Sequence, residues 1–581
     1  MPLTPYSGPL GRRGAAHLLR RATYGPTIQQ IKAFSGLTAA QAIQQLYHQA
    51  LPATPPPVDP DTNEPWVLTG VTDPDKMEFE YQQYFKRWFI GQMMSAGVPA
   101  GQSLAYSARE KLVFFIHTIL TAIAEKIGSS RAMYYQNQLF RLYALDGVAS
   151  AIVPAAKLNF KELTKKVSVD NAMLNLLDGT INIRGGNENY GRELLELYSI
   201  GRGLETSDVT AGLGPGDYFY YTEQDVQAAA KVFSGFQFDD QFAVIDPDTQ
   251  LPRGKVRGSV TNASAHDNNP KQFSVRFGDA VIAPDPLLLN GTNPTEESAL
   301  DEISRFIDLI YDQDETANYI CRKIYRFFMY HEITDTINTN IIQQMAATFR
   351  ANNFKIQPVI EELLSSQHFY NNNTTPYADD GFGGIIKSPL ELMIGTYRFF
   401  DIQIPSLATD AAGFYERTGM IIDRVKTMGM DFYQPFDVAG YDAYHQFPIY
   451  HRSWITVNNL TNRYNFIYEF LPDVELYQFI RDYIDFSEAS DARRLIIDLA
   501  SFLLPQVNNL TFDTTMDESQ QATVTSERLL YFLNKFLDII DPDPEAAWTD
   551  RYTNQQGINT MEGQLHNLFN AMLQSPEYQL Q

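Results

Sequence analysis

A chain of 581 residues exceeds a typical single domain, and its 44% apolar and 13% aromatic content supplies a large core, which excludes disorder on a large scale. A formal charge of −24 at pH 7 with no long basic stripe argues against nucleic acid as a partner, because binding to phosphate backbones needs clustered Lys and Arg. Cys321 is the only cysteine, so neither an intrachain disulfide nor a thiolate zinc cluster can form, and no apolar run approaches the length of a membrane span.

Residues 1–50 form an N-terminal helical segment, with two short helical patterns parted at Gly25 and Pro26. Arg12 and Arg13 have no apolar stretch behind them, so no signal peptide is read here. That predicts a cytoplasmic protein, with export or surface display by a non-obvious route as the alternative. Residues 51–76 are a proline-rich linker. A helical core lobe is predicted over 77–235, where EFEYQQYFKRWFIGQMM, AREKLVFFIHTILTAIAEKI and RAMYYQNQLFRLYAL all repeat apolar residues at three- and four-residue spacing. Residues 236–290 alternate and are punctuated by Pro, Asp, Gly and Asn, as in a β-rich insertion. A second helical lobe over 291–453 ends in an aromatic loop, and 454–581 is a C-terminal helical region. The predicted fold class is mainly α, a multi-helix globular protein with a small β-hairpin insertion around 236–290.

The densest polar stretch is NENYGRELLELY. At about 100° per residue, a helix starting at Glu188 places Arg192, Glu196, Asn189 and Glu193 within an arc of roughly 140°, opposite the leucines and tyrosines. Asn187 can cap its start and Gly201 its end. Glu188–Arg192 and Arg192–Glu196 are both i, i+4 pairs, so the face can be a solvated salt-bridged surface. Turned inward, the same groups make a structural clamp or a metal or catalytic site. Glu188, Glu193, Glu196, His17 and Asp225 are the candidate metal ligands; Glu188, Arg192, Glu193, His117, His266 and Asp267 are the candidate catalytic residues. Spacing alone specifies no metal site. HExxH, GxSxG and EF-hand patterns are absent, and neither GFGGIIKSP nor GLGPGD reads as a nucleotide-binding loop.

Several segments in order resemble one large bacterial family, a domain of unknown function, DUF1800. AAHLLRRATYGPT (15–27) resembles its opening motif, and REKLVFFIHTIL (109–120) its E-K-x-x-x-F-W-H helix, with Ile116 at the tryptophan position. MLNLLDGTINIRGGNENYGRELLELYSIG (173–201) is similar to its most recognisable signature, with Gly191 where alanine is common. YTEQDVQAAAKVFSGF, HDNNPKQF, KSPLELMIGTYR, QPFDVAGY and LQSPEYQ come next in family order, with Phe236, Phe436 and Tyr441 as departures. The resemblance implies a mainly helical protein without an established activity, often encoded beside a sulfatase-like exported protein. It also favours the clamp over the solvated face for the 188–196 helix.

Two function classes are compatible with these features. The leading reading is a partner-binding or assembly protein, envelope- or surface-associated in one version, with a protein partner such as the sulfatase-like neighbour. Phe436, Tyr441, Tyr444, Tyr450, Arg452 and Trp454 in the aromatic loop are its candidate binding residues, because Tyr, Phe, Trp and Arg anchor interfaces. The alternative is a metal-dependent hydrolase, with a divalent metal as cofactor on the carboxylates, a histidine as ligand or base, and Arg192 stabilising anionic charge.

Overall fold

The computed structural model describes residues 3–203, 214, 216–370, 384–505, 507, 509–516, 524–537 and 541–581. Parts of the glycine-rich stretches at 212–217 and 381–389, and of the Ser/Thr/Asp-rich segments in the C-terminal region, lie outside those residues. The fold is mainly α. Its β content among the described residues is two antiparallel two-stranded sheets, one pairing β1 (Phe236–Gln237) with β2 (Lys255–Val256), the other β3 (Lys271–Gln272) with β4 (Val281–Ile282).

The helices that position the polar clusters are α1 (Gly11–Ala22), α2 (Ile28–Ser35), α3 (Glu78–Met93), α4 (Ala100–Ile119) and α5 (Ser130–Ala144). They continue with α6 (Asn189–Glu193), α7 (Glu223–Val232), α8 (Glu296–Tyr311), α9 (Asp314–Phe328), α10 (Pro389–Phe399) and α11 (Ala411–Thr427). Helix α4 is central: every residue from Leu104 to Ile119 is buried, including Arg109, Glu110, Lys111 and His117. A helix buried all round needs partners for its charges. Glu110 finds Arg141 of α5 at 2.6 Å, and Lys111 finds Glu391 of α10.

Local chemistry explains the helix starts. Thr27 and Gln30 form a capping box at α2, and Ser388 and Glu391 form another at α10, where Pro389 sits in the first turn. Backbones also cross closely. A Cβ on Gly25, at φ +114°, would lie 2.8 Å from Gly395 Cα, so the end of the first motif can meet the middle of α10 only with glycine at position 25. Buried apolar side chains from Leu3 to Tyr578 join in one contiguous cluster.

Candidate functional site

The 188–196 face is helical, as its periodicity predicts, but not one regular helix. After α6 the chain passes into a π turn over Leu194–Ser199. Asn187 accepts from the Asn189 amide at 2.9 Å, and Gly201, at φ +72°, closes the turn by donating to Leu195 O at 2.8 Å. The wider π turn rotates Glu196 away from Arg192. Arg192 therefore pairs with Glu188 at 3.2 Å, as expected, but takes its second carboxylate from Glu223 on α7 at 2.8 Å. Glu196 pairs with Arg202 at 2.5 Å and accepts from Tyr221 Oη at 3.1 Å, which corrects the expected Arg192–Glu196 pair. The Glu193 carboxylate has no hydrogen-bond partner among the described residues. Burial and the nearby Glu196 carboxylate push its pKa up to about 7. Glu188, Arg192 and Glu223 are each about a third exposed, so the ion pairs contribute little stability, on the order of 1 kcal/mol or less.

The other metal and catalytic candidates do not converge on this face. His17 Nε2 lies 3.1 Å from Phe369 O and its ring packs on Phe369. Asp225 is the capping partner of Thr222 and also accepts from the Ser274 amide and hydroxyl, both at 2.7 Å, so its oxygens are committed to tying α7 to the β3 segment. His117 stacks on Tyr433 with ring centroids 4.2 Å apart, and neither ring nitrogen has a partner among the described residues. His266 lies between Ser234 O at 2.8 Å and Glu302 Oε2 at 3.2 Å, where Lys271 also binds Glu302. Asp267 receives the Asn269 amide in a local turn. Among the described residues, no group of three or more His, Cys, Asp or Glu side chains is arranged to hold a metal ion. The Glu302 carboxylate was not singled out from the sequence; its position facing His266 and Lys271 depends on a fold contact 36 residues away.

The aromatic loop divides in two. Tyr441, Tyr450 and Trp454 are buried, and Tyr444 and Arg452 are half-buried, so these five candidates are mainly internal rather than surface anchors. Tyr441 Oη accepts the Tyr433 amide at 2.7 Å and so fixes the loop's own bend. Phe436 is the opposite case: it is 97% exposed. Phe447, Ile449, Ile455 and Val457 along the same stretch are also exposed.

A second polar cluster is invisible to sequence reading because its members lie in distant segments. Glu391 caps α10 through the Ser388 amide and pairs with Lys111 of α4. Around it Lys387 donates to Tyr578 O at 2.7 Å, and Arg463 donates to Lys387 O and to Gln579 Oε1, both at 2.7 Å. Arg21 donates to Met329 O at 2.8 Å and to Gln581 O at 2.6 Å. Burial, with Arg20 and Arg463 nearby, holds the Lys387 pKa well below its ordinary value. These cations are spent on backbone carbonyls of other segments, which is the geometry of a clamp: each charge fixes two elements in register. The segments it joins include those containing HLLRR, EKLVFF, KSPLE, TNRYNF and SPEYQ.

A family model described as "Protein of unknown function (DUF1800)" matches residues 17–580, nearly the whole chain. No curated protein and no solved structure matches it.

Proposed function

Since the chain belongs to this DUF1800 family of unknown function, its role has to be argued from its own geometry, and we propose that it is a partner-binding or assembly protein. The observation that carries this reading is the divided aromatic loop. Phe432 and Tyr433 are fully buried and Tyr441 nearly so, while Phe436 between them is 97% exposed. A loop anchored at both sides and presenting a large apolar side chain offers a partner a surface whose ordering cost is already met by the fold. The exposed Phe447, Ile449, Ile455 and Val457 extend the apolar content of the same stretch. A protein is the partner class this chemistry suits, and the sulfatase-like neighbour implied by the family resemblance is the first to try.

The test is photocrosslinking in the producing cells, with benzoylphenylalanine at position 436 and, as a control, at Leu287, which is 90% exposed outside the loop. A discrete adduct at 436 that is absent at 287 is expected. No adduct at 436, or the same adducts at both positions, overturns the reading.

A hydrolytic role keeps one support, Glu193, whose pKa near 7 suits a general acid or base. Turnover of a phosphate or acyl ester panel that is abolished by Glu193→Gln in a folded protein would favour it; turnover unchanged by that variant would remove it.

A further inference from the structure

Away from the aromatic loop and the Glu391 cluster, a cavity of about 500 Å³ opens where α2, the end of α3 and the end of α10 meet. Thr27 and Gln29 from the start of α2, Ser95 and Ser103 from either side of the α3–α4 turn, and Arg398 and Asp401 from the end of α10 line it. Arg398 is only 7% exposed. Its Nε donates to Gly25 O at 2.6 Å, and its Nη1 to Met94 O at 3.3 Å, with Ser95 Oγ 3.5 Å away. Those contacts hold the guanidinium plane still. They do not neutralise it: among the described residues no carboxylate lies within ion-pair distance of Arg398, the Asp401 charge offsets its burial only in part, and Nη2 has no hydrogen-bond acceptor. A buried cation whose nearest carboxylate is exposed and beyond ion-pair distance is costly, and a site that keeps one is usually completed by an anion.

The second feature is the helix start beside it. The α2 capping box uses the Thr27 and Gln30 amides, and the Ile31 amide bonds Thr27 O. The Ile28 and Gln29 amides are left without acceptors among the described residues. First-turn amides and the helix dipole both favour negative charge at that end. The serines are walls rather than donors, because Ser95 Oγ donates to Ser103 O at 2.8 Å and Ser103 Oγ to Ala100 O at 3.1 Å. Asp401 is the one carboxylate among the lining residues. It sits exposed at the rim, where Gln403 Nε2 at 2.8 Å and Tyr483 Oη at 2.7 Å hold its two oxygens.

We propose that this cavity binds an oxyanion, the carboxylate or phosphate group of a small molecule, with Arg398 Nη2 and the first-turn amides of α2 as its donors. The site is built by two sequence motifs, TYGPT and LELMIGTYR, that meet backbone to backbone at Gly25 and Gly395. It does not depend on the partner-binding reading.

The full chain is titrated calorimetrically with inorganic phosphate and with succinate, at an ionic strength matched by sodium chloride. Saturable binding of one or both is expected. Phosphate alone identifies a phosphorylated ligand class; succinate alone identifies a carboxylate. Arg398→Gln is expected to abolish binding. Because a buried arginine variant can fail to fold, Ala33→Glu supplies an independent arm: Ala33 is an exposed α2 residue lining the same cavity. Its new carboxylate competes for Arg398 and is expected to weaken binding about ten-fold or more, about 1.4 kcal/mol, whereas Ala33→Gln leaves it within about two-fold. No saturable binding of either anion, or equal binding by the Ala33→Glu and Ala33→Gln proteins, overturns the proposal.

Discussion

His117 illustrates what a single buried residue does to the pH response. Burial pushes its pKa down to about 3, from an ordinary value near 6.5, because no partner stabilises the imidazolium. The unfolded chain therefore binds more protons than the folded one between those two values. The contribution of His117 to stability is complete above about pH 6.5 and is lost as the pH drops toward 3. His117→Phe keeps a ring against Tyr433 and removes the titration. Its melting temperature is expected to fall less than that of the parent protein between pH 6.5 and pH 4, measured by calorimetry. A parallel decline in both proteins would show that His117 contributes nothing to acid sensitivity. Asp146 and Asp170, raised by burial to about 7, act in the opposite sense and blunt the decline without depending on His117. The sequence places His117 on a helix, and the spacing is sound. It does not reveal the stacking partner, because Tyr433 comes from a loop more than half the chain away.

At the scale of elements, α6 and α7 meet at a glycine. A Cβ on Gly191 would lie 2.9 Å from Ala229 Cβ and 3.1 Å from Val226 O, so even alanine needs a small shift there. Gly191→Val is expected to destabilise the protein by about 1–3 kcal/mol through overpacking. Arg192→Ala, at the half-exposed neighbouring position, should cost about 1 kcal/mol or less. Urea unfolding of the two variants measures the difference, and a larger loss from Arg192→Ala would mean that the ion pairs, not the crossing, hold the two helices together. Most helices were legible from apolar spacing, among them α3, α4, α5 and α11, and so was the small β excursion. The π turn was not. Its displaced carbonyls at Glu196 and Leu197 accept from Tyr319 Oη on α9, at 3.3 and 3.0 Å, and Ser199 Oγ donates to Leu194 O at 2.6 Å. A hydrogen-bond register fixed by another helix leaves no trace in local periodicity.

For the molecule as a whole, the charge of −24 makes self-repulsion a general term. Screening it should raise the melting temperature by a few degrees between about 20 mM and 300 mM sodium chloride, since the Debye length falls well below the protein's size. A falling melting temperature would mean that favourable surface pairs, such as Arg493–Glu545 and Lys157–Asp248, outweigh repulsion. The buried Lys111–Glu391 pair would be little affected either way. The family motifs were legible as motifs, but their meeting around Glu391 was not, because nothing in separate segments announces that they share one interior. The contact between Gly25 O and Arg398 spans 373 residues of chain. Two stretches so remote in the chain impose a timetable: the intervening helices can form early, yet the oxyanion cavity and its arginine come into being only after that long loop has closed. Such a closure is slow and passes through partly assembled states. Refolding from denaturant should therefore regain helical signal well before it regains protection of the Gly25–Arg398 crossing.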